Sequence, residues 1–540
     1  MPDTERPETE RPETDSKTAS GAGLVRSVGA VGGLTLISRM LGYVRDIFMA
    51  TFIGVGPVGD AFTFALTLPN SFRQIFAEGA FNAAFVPTYT ETQTKHGKAE
   101  AARFAGQVMS ALLVILIPLT LLVLWQMPAV VGFLSQGYDR EGERFALAVL
   151  FSRIMFGYLA LISLMALCTG VMNANKQFAP GAAVQIGYNV VLIAALLLLV
   201  PAIGYPAHVL SGAVLGAGFL QFALTWVLAS LLVGITVLPR LPRLDKRLRT
   251  MLLLMGPGIA SASGLQIASL LNRALASEVV GAQSQLYFAE RLYFLPLSLI
   301  GIAFGVVILP TLSRALAQGD TQASHRTTGQ GIQLAAFIAI PASVALIVMP
   351  REILSTLFQY GVFDAQASED AGWILLALAI GLTPVIFQRI LYPNFFARKD
   401  TLTPMLLTMG GVIVQVVFAL LLFPRMGVMG LGLSVAISAW TQVLGAVFLT
   451  SRRGFWQPDA GLLWLLLRIT LAALVMALAL LLIKLMFVDV FGTQRASRKM
   501  PAMAILILAG GATYLVASIF LRSVPPSAIA ALRRFRGRSG

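Results

Sequence analysis

The chain reads as an all-α, polytopic membrane protein. It is expected to have about 14 transmembrane helices: two six-helix lobes related by pseudo-twofold symmetry along the membrane normal, plus two extra C-terminal helices. Three observations predict this. Of 540 residues, 57% are hydrophobic and only 12% charged, with a mean hydropathy of +0.79. Long apolar runs of that kind are the mark of membrane helices, because a span must cross about 30 Å of hydrocarbon. The chain also repeats itself. Pro87 and Pro310, Pro118 and Pro341, and Lys176 and Lys399 are each 223 residues apart, and Pro180 and Pro404 are 224 apart. Finally, arginines sit inside the apolar runs, where no lipid-facing helix tolerates them.

The elements follow in order. Residues 1–23 are a Thr-Glu-Arg-Pro repeat of low hydrophobicity, expected to be a disordered cytoplasmic leader with no signal peptide. Residues 24–235 form the N-lobe, with spans at 27–53, 59–90, 103–127, 144–172, 179–201 and 206–235. Gly42 and Pro69 are expected to bend the first two. Residues 236–250 (VLPRLPRLDKR within them) read as an amphipathic cytoplasmic linker. The C-lobe, 251–451, has spans at 249–278, 284–313, 329–350, 367–396, 402–423 and 427–450. Residues 452–524 hold the two added helices, 460–487 and 502–523, and 525–540 is a basic cytoplasmic tail. Six helices per repeat put both halves in the same orientation, so the lobes can rock around a shared cavity.

Loop charge sets the orientation. With the N-terminus inside, the inner loops carry fifteen basic residues and the outer loops seven. Both termini are therefore placed in the cytoplasm. The excess of 40 Lys+Arg over 25 Asp+Glu fits anionic headgroups better than nucleic acid, which would want a basic face on a soluble fold. The single cysteine, Cys168, lies in an apolar run, and the three histidines show no metal-ligand spacing. No metal site is predicted.

The embedded charges carry the functional argument. Each arginine facing lipid would cost about 2.5–3.5 kcal/mol, so Arg39, Arg45 and Arg73 are expected to face a wet, cationic cavity suited to an anion. Arg39 and Arg45 are six positions apart on a helix and diverge by roughly 120°. For Arg45 the competing reading is an ion pair with Asp46 or Asp60. Arg73 suits a phosphate grip, with Glu78 as its alternative partner. Asp60 opens the second span, where a carboxylate complements the positive helix end. In the second half, Arg291 is the expected ligand contact. Glu290, Arg273, Arg389 and Arg153 are weaker candidates, and the aromatic residues around Arg291 read as packing. Arg398, Lys399 and Lys176 sit in tight turns at headgroup level.

The run SRMLGYVRD…GDAF…LPNSFRQIFAEGAFNAAFVP resembles the signature of the bacterial MurJ (MviN) family of lipid II flippases. FAERLYFLPLSLIGIAFGVVILPTLS, LFQYGVF and ARKDTLTP resemble its later landmarks. The resemblance covers about residues 27–523. It implies the fold of the multidrug/oligosaccharidyl-lipid/polysaccharide exporter superfamily in a bacterial inner membrane. It also implies movement of lipid-linked peptidoglycan precursor from the cytoplasmic to the periplasmic leaflet, possible contact with cell wall synthesis machinery, and no enzymatic activity. The family's cavity arginines fall on Arg39, Arg45, Arg73 and Arg291, and its acidic landmarks on Asp60 and Glu78. Many members have two consecutive basic residues where this chain has Arg73-Gln74. No cofactor is expected; a coupling cation or the membrane potential is the expected energy source, with no cation site assigned.

The rivals are a flippase for another polyprenyl-linked glycan, a drug antiporter, a lipid-binding scaffold, and a membrane glycosyltransferase. The antiporter would want an acidic cavity. The glycosyltransferase needs a positioned carboxylate, and the longer outer loops offer only Glu352, Asp364 and Asp489.

Overall fold

The computed structural model describes residues 15–76, 80–241, 245–526 and 528, so Glu78 lies outside the described residues. These residues are helical almost throughout. The N-lobe runs α1 (Asp15–Phe52), α2 (Pro57–Phe76), α3 (Ala80–Trp125), α4 (Met127–Leu134), α5 (Glu143–Phe156), α6 (Tyr158–Ala174), α7 (Ala179–Ala194), a π-helical turn at Ala195–Leu199, α8 (Val200–Ile203) and α9 (Pro206–Val233). The C-lobe runs α10 (Lys246–Ala276), α11 (Ala282–Ala317), α12 (Thr321–Val348), α13 (Pro350–Phe358), α14 (Ala365–Ile380), α15 (Leu382–Phe396), α16 (Leu402–Met426) and α17 (Val428–Arg452). The added helices are α18 (Ala460–Leu485), the short α19 (Val488–Phe491) and α20 (Ala496–Phe520).

Among the described residues, ten helical segments are long and apolar enough to cross a membrane. The more polar α1, α2, α10 and α11 complete a pattern consistent with fourteen spans. Residues 15–23 belong to α1 rather than to a disordered leader, and residues 1–14 lie outside the described residues. α1 and α2 run as continuous helices through Gly42 and Pro69. The chain instead reverses inside α3 at Gly97 (φ 84°), which ends the second span and starts the third. Only glycine adopts that conformation at little cost.

The repeat is visible in the backbone. Lys176 and Lys399 both take positive φ, 63° and 62°. Each donates its N–H three residues back, to the carbonyls of Asn173 and Phe396. The helix breaks at Gly157, between α5 and α6, and at Gly381, between α14 and α15, fall at the same repeat position. Non-glycine residues with positive φ are uncommon, so matched lysines in this state mark one turn built twice.

Three buried clusters hold the molecule. The largest spans both lobes, from Met49 and Phe62 to Phe288, Phe358 and Ile390. A second lies in the N-lobe around Phe85, Tyr89 and Phe104, and it recruits Leu248, Met251 and Met255 from α10. The start of α10 therefore packs on the N-lobe although its sequence belongs to the second repeat. The linker is held there too: Ile235 and Val237 are buried while their neighbours are exposed, an extended strip with a period of two. Arg240 donates its N–H to the Gly106 carbonyl at 3.2 Å. The third cluster joins α18 and α20 to α12 through Ala472, Met476 and Leu506, with Phe337 of α12 packed against them.

Candidate functional site

A cavity of about 440 Å³ opens between the lobes. One face of α1 forms its wall: Ser38, Arg39, Gly42, Tyr43, Arg45 and Asp46. At 100° per residue these positions span about 160° of the helix, with Arg39 and Arg45 towards its two edges. Both arginines thus reach the cavity without a kink between them. Arg73 from α2, Arg291 from α11, and Tyr188 and Asn189 from α7 complete the lining. Among the described residues, four arginines and one aspartate line the cavity.

The apex is a network across the lobes. Asp46 is 2% exposed and Arg45 is 7% exposed. Arg45 Nη2 and Nε donate to Asp46 Oδ1 at 2.7 and 3.0 Å, and its Nη1 donates to Asn189 Oδ1 at 3.1 Å. Arg291 of the other lobe approaches Asp46 Oδ2 with Nε at 3.2 Å, an ion pair not aligned as a hydrogen bond. Tyr287 donates to Asp46 Oδ1 at 3.0 Å and accepts from Arg291 Nη2 at 2.8 Å. Tyr43 donates to the Arg291 carbonyl at 2.9 Å. Burying a charge is tolerable only with such partners. Both readings of Arg45 therefore hold: it pairs with Asp46 and it lines the cavity. Arg39 is exposed on the cavity wall.

A second chamber of about 360 Å³ adjoins the first and shares Arg73 and Arg291 with it. Its other polar lining is Thr67, Asn70, Ser71, Gln74, Gln266, Ser269, Arg273, Tyr287 and Glu290. Arg273 Nη2 pairs with Glu290 Oε2 at 2.6 Å. Gln74 accepts from Gln266 Nε2 across the lobes at 2.7 Å. Arg389 lines neither chamber and lies exposed on α15 near Gly301 of α11; Arg153 is likewise exposed on α5.

Asp60 corrects its expected role. It is fully buried and serves the helix of the other lobe: Oδ2 accepts from Gly281 N–H at 2.7 Å, and Oδ1 accepts from Ser284 N–H and Oγ at 3.0 and 2.8 Å. It therefore caps the N-terminus of α11, aided by Arg144 at 3.4 Å. Arg144 also donates to the carbonyls of Ser277 and Gly137. Sequence reasoning missed Arg144, since nothing local links it to residues more than 130 positions away. It also missed Lys499, discussed below.

Two of the three loop carboxylates are engaged structurally. Glu352 pairs with Lys484 at 3.5 Å, and Asp364 accepts from Ala367 N–H at 2.8 Å to cap α14. They form no positioned general base. A two-lobed helical bundle with an interlobe cationic chamber defines a transporter.

The comparisons specify which. A family model described as "Lipid II flippase MurJ" matches residues 49–501. A "Probable lipid II flippase MurJ" from Rhizobium meliloti is 38% identical over 464 residues, covering 85% of this chain and 86% of the relative. A "Lipid II flippase MurJ" from Burkholderia cenocepacia is 32% identical, covering 84% and 89%. Among solved structures, "Lipid II flippase MurJ, inward closed conformation" superposes with a TM-score of 0.75 at 22% identity, covering 91% of this chain and 98% of that one. An inward-facing multidrug resistance MATE family transporter superposes at 0.67 with 15% identity, covering 79% and 97%. The chain belongs to the MurJ lipid II flippase family, and it is a transporter rather than an enzyme.

Proposed function

We propose that this protein moves lipid II, the lipid-linked peptidoglycan precursor, from the cytoplasmic to the periplasmic leaflet of a bacterial inner membrane by alternating access. The single observation that carries the reading is the interlobe chamber lined, among the described residues, by four arginines and one aspartate. A pyrophosphate cannot cross about 30 Å of hydrocarbon unaided, and fixed guanidiniums replace its lost hydration. Arg39, Arg73 and Arg291 take the phosphates and acidic peptide. Arg45 supports them through Asp46, and the lipid tail stays in the bilayer. Asp60 acts at the junction of the lobes rather than on substrate.

Loop charge places both termini in the cytoplasm. The closed seam around Asp60 then faces the periplasm, and substrate enters from the inner leaflet. The membrane potential or a coupled cation supplies the bias, because a symmetric chamber only equilibrates its ligand. Depletion of the protein followed by leaflet-specific labelling tests the substrate: lipid II should accumulate on the inner face. Accumulation of another polyprenyl-linked glycan there would reassign it.

A further inference from the structure

The second chamber holds a charge pair for which anion binding gives no task. Arg273 is 7% exposed, and its Nε and Nη1 are buried without a hydrogen-bond partner. Donors left idle in a buried charged group carry an uncompensated desolvation cost. Such donors mark a place where something else completes the set. Glu290 is more open, with its side chain 27% exposed and Oε2 engaged by Arg273.

The surroundings differ in kind from the first chamber. Gln266 and Ser269 precede Arg273 by seven and four residues, on the same face of α10. Asn70, Ser71 and Gln74 of α2 face them from the other lobe. Arg273 and Glu290 thus stand side by side among amides and hydroxyls, with Arg73 and Arg291 where this chamber meets the first.

We propose that this chamber is a subsite for a zwitterionic group, an ammonium and a carboxylate borne on one carbon, at the end of a peptide side chain of the transported lipid. Arg273 takes the carboxylate through the donors that its pair with Glu290 leaves idle. Glu290 takes the ammonium. Arg73 and Arg291 line both chambers, so the pyrophosphate is held in one while the peptide of the same molecule fills the other. The assignment rests on the lipid II reading and adds the part of the substrate that is recognised.

The test uses the full-length protein in nanodiscs and three lipid II preparations: one with a peptide side chain ending in an α-amino acid, one ending in a primary amine alone, and one with the peptide removed. Wild type should bind the first about tenfold or more tighter than the second, since a site built to hydrogen-bond a polar group rejects the analogue lacking it. That ratio should fall to about one in Arg273→Gln. It should fall likewise in Arg273→Lys, which keeps a cation beside Glu290 and so guards against simple misfolding. An affinity ratio near one in wild type, or a ratio unchanged in both variants, overturns the subsite. Failure of wild type to hold even the peptide-free lipid would instead remove the substrate reading beneath it.

Discussion

Asp46 decides the behaviour of two of the arginines in the cavity. It is the only carboxylate lining the first chamber among the described residues, and it holds Arg45 and Arg291 from opposite lobes. Its removal leaves two guanidiniums facing each other in a partly dry site. Breaking a buried pair costs about 3–5 kcal/mol, so Asp46→Asn should lower the midpoint of thermal unfolding and abolish growth as sole copy. Arg39→Ala and Arg291→Ala should also fail to complement at normal protein levels, as they remove charge that faces the ligand. Arg398→Ala is the contrast. Its guanidinium donates to the Asn394 carbonyl and stacks on Phe455 far from the chamber, so growth should be nearly normal. Robust growth of either cavity variant would remove these residues from the transport mechanism. The arginines were legible in the sequence because a charge inside an apolar run has few tolerable places. The double attachment of Asp46 was not, because Arg291 and Tyr287 lie more than 240 positions away.

At the scale of elements, the added helices are fastened by two lysines. Lys499 of α20 is wholly buried, and Nζ donates to the Ser355 carbonyl at 3.0 Å and the Gln359 carbonyl at 3.4 Å, at the end of α13. Lys484 of α18 donates to the Val348 carbonyl at the end of α12. Each cation meets carbonyls at the negative end of a helix. Lys499→Met should remove a donor from these carbonyls and destabilise the protein by about 1–3 kcal/mol. The check is thermal unfolding together with faster hydrogen exchange in α13 and α20. The sequence showed two extra hydrophobic spans but not their docking, since a lysine near a helix end looks the same whether it meets lipid or carbonyl.

The turn after α15 gives a pH-dependent counterpart. Burial pushes the Asp400 carboxyl upward, but hydrogen bonds from Thr403 and the Arg453 guanidinium outweigh it and hold the group below its ordinary value. The turn should therefore be fully stabilised above the ordinary aspartate range. It should lose that support as pH falls through the depressed value. Local hydrogen exchange at 397–403, compared between neutral and strongly acidic pH, reads this directly.

The whole molecule is two copies of one design meeting at one end. Gly54 lies against Val362 in one contact, and Gly137 lies against Glu278 in the other. The offset is 224 in each half, from 54 to 278 and from 137 to 361, so the seam nearly repeats itself about the pseudo-twofold axis. Asp60 and Ser284, which bond to each other, are also 224 apart. Asp60→Asn should weaken the seam by about 1–3 kcal/mol, shifting the balance of states roughly 5–150-fold towards separation. Spin-label distances across the seam would lengthen; an unchanged distribution would show that the seam does not depend on this carboxylate. The duplication was legible from four landmarks, and it fixed the architecture. The seam was not, because its contacts join residues far apart in the chain, through main chain as well as through side chains such as Asp60 and Ser284.

That main-chain groups take part in the junction has a mechanical result. Val362 N–H donates to the Thr51 carbonyl, Gly137 N–H donates to Ser277 Oγ, and a Cβ on Gly137 would lie 2.3 Å from the Glu278 Cα. When such a zip parts, water takes up each freed group, and the net loss per bond is only about 0.5–1.5 kcal/mol. The apolar cluster that spans both lobes must be uncovered as well, so the jaws need a push beyond the cost of these bonds. A single methyl at Gly137 would act as a doorstop, propping the halves ajar.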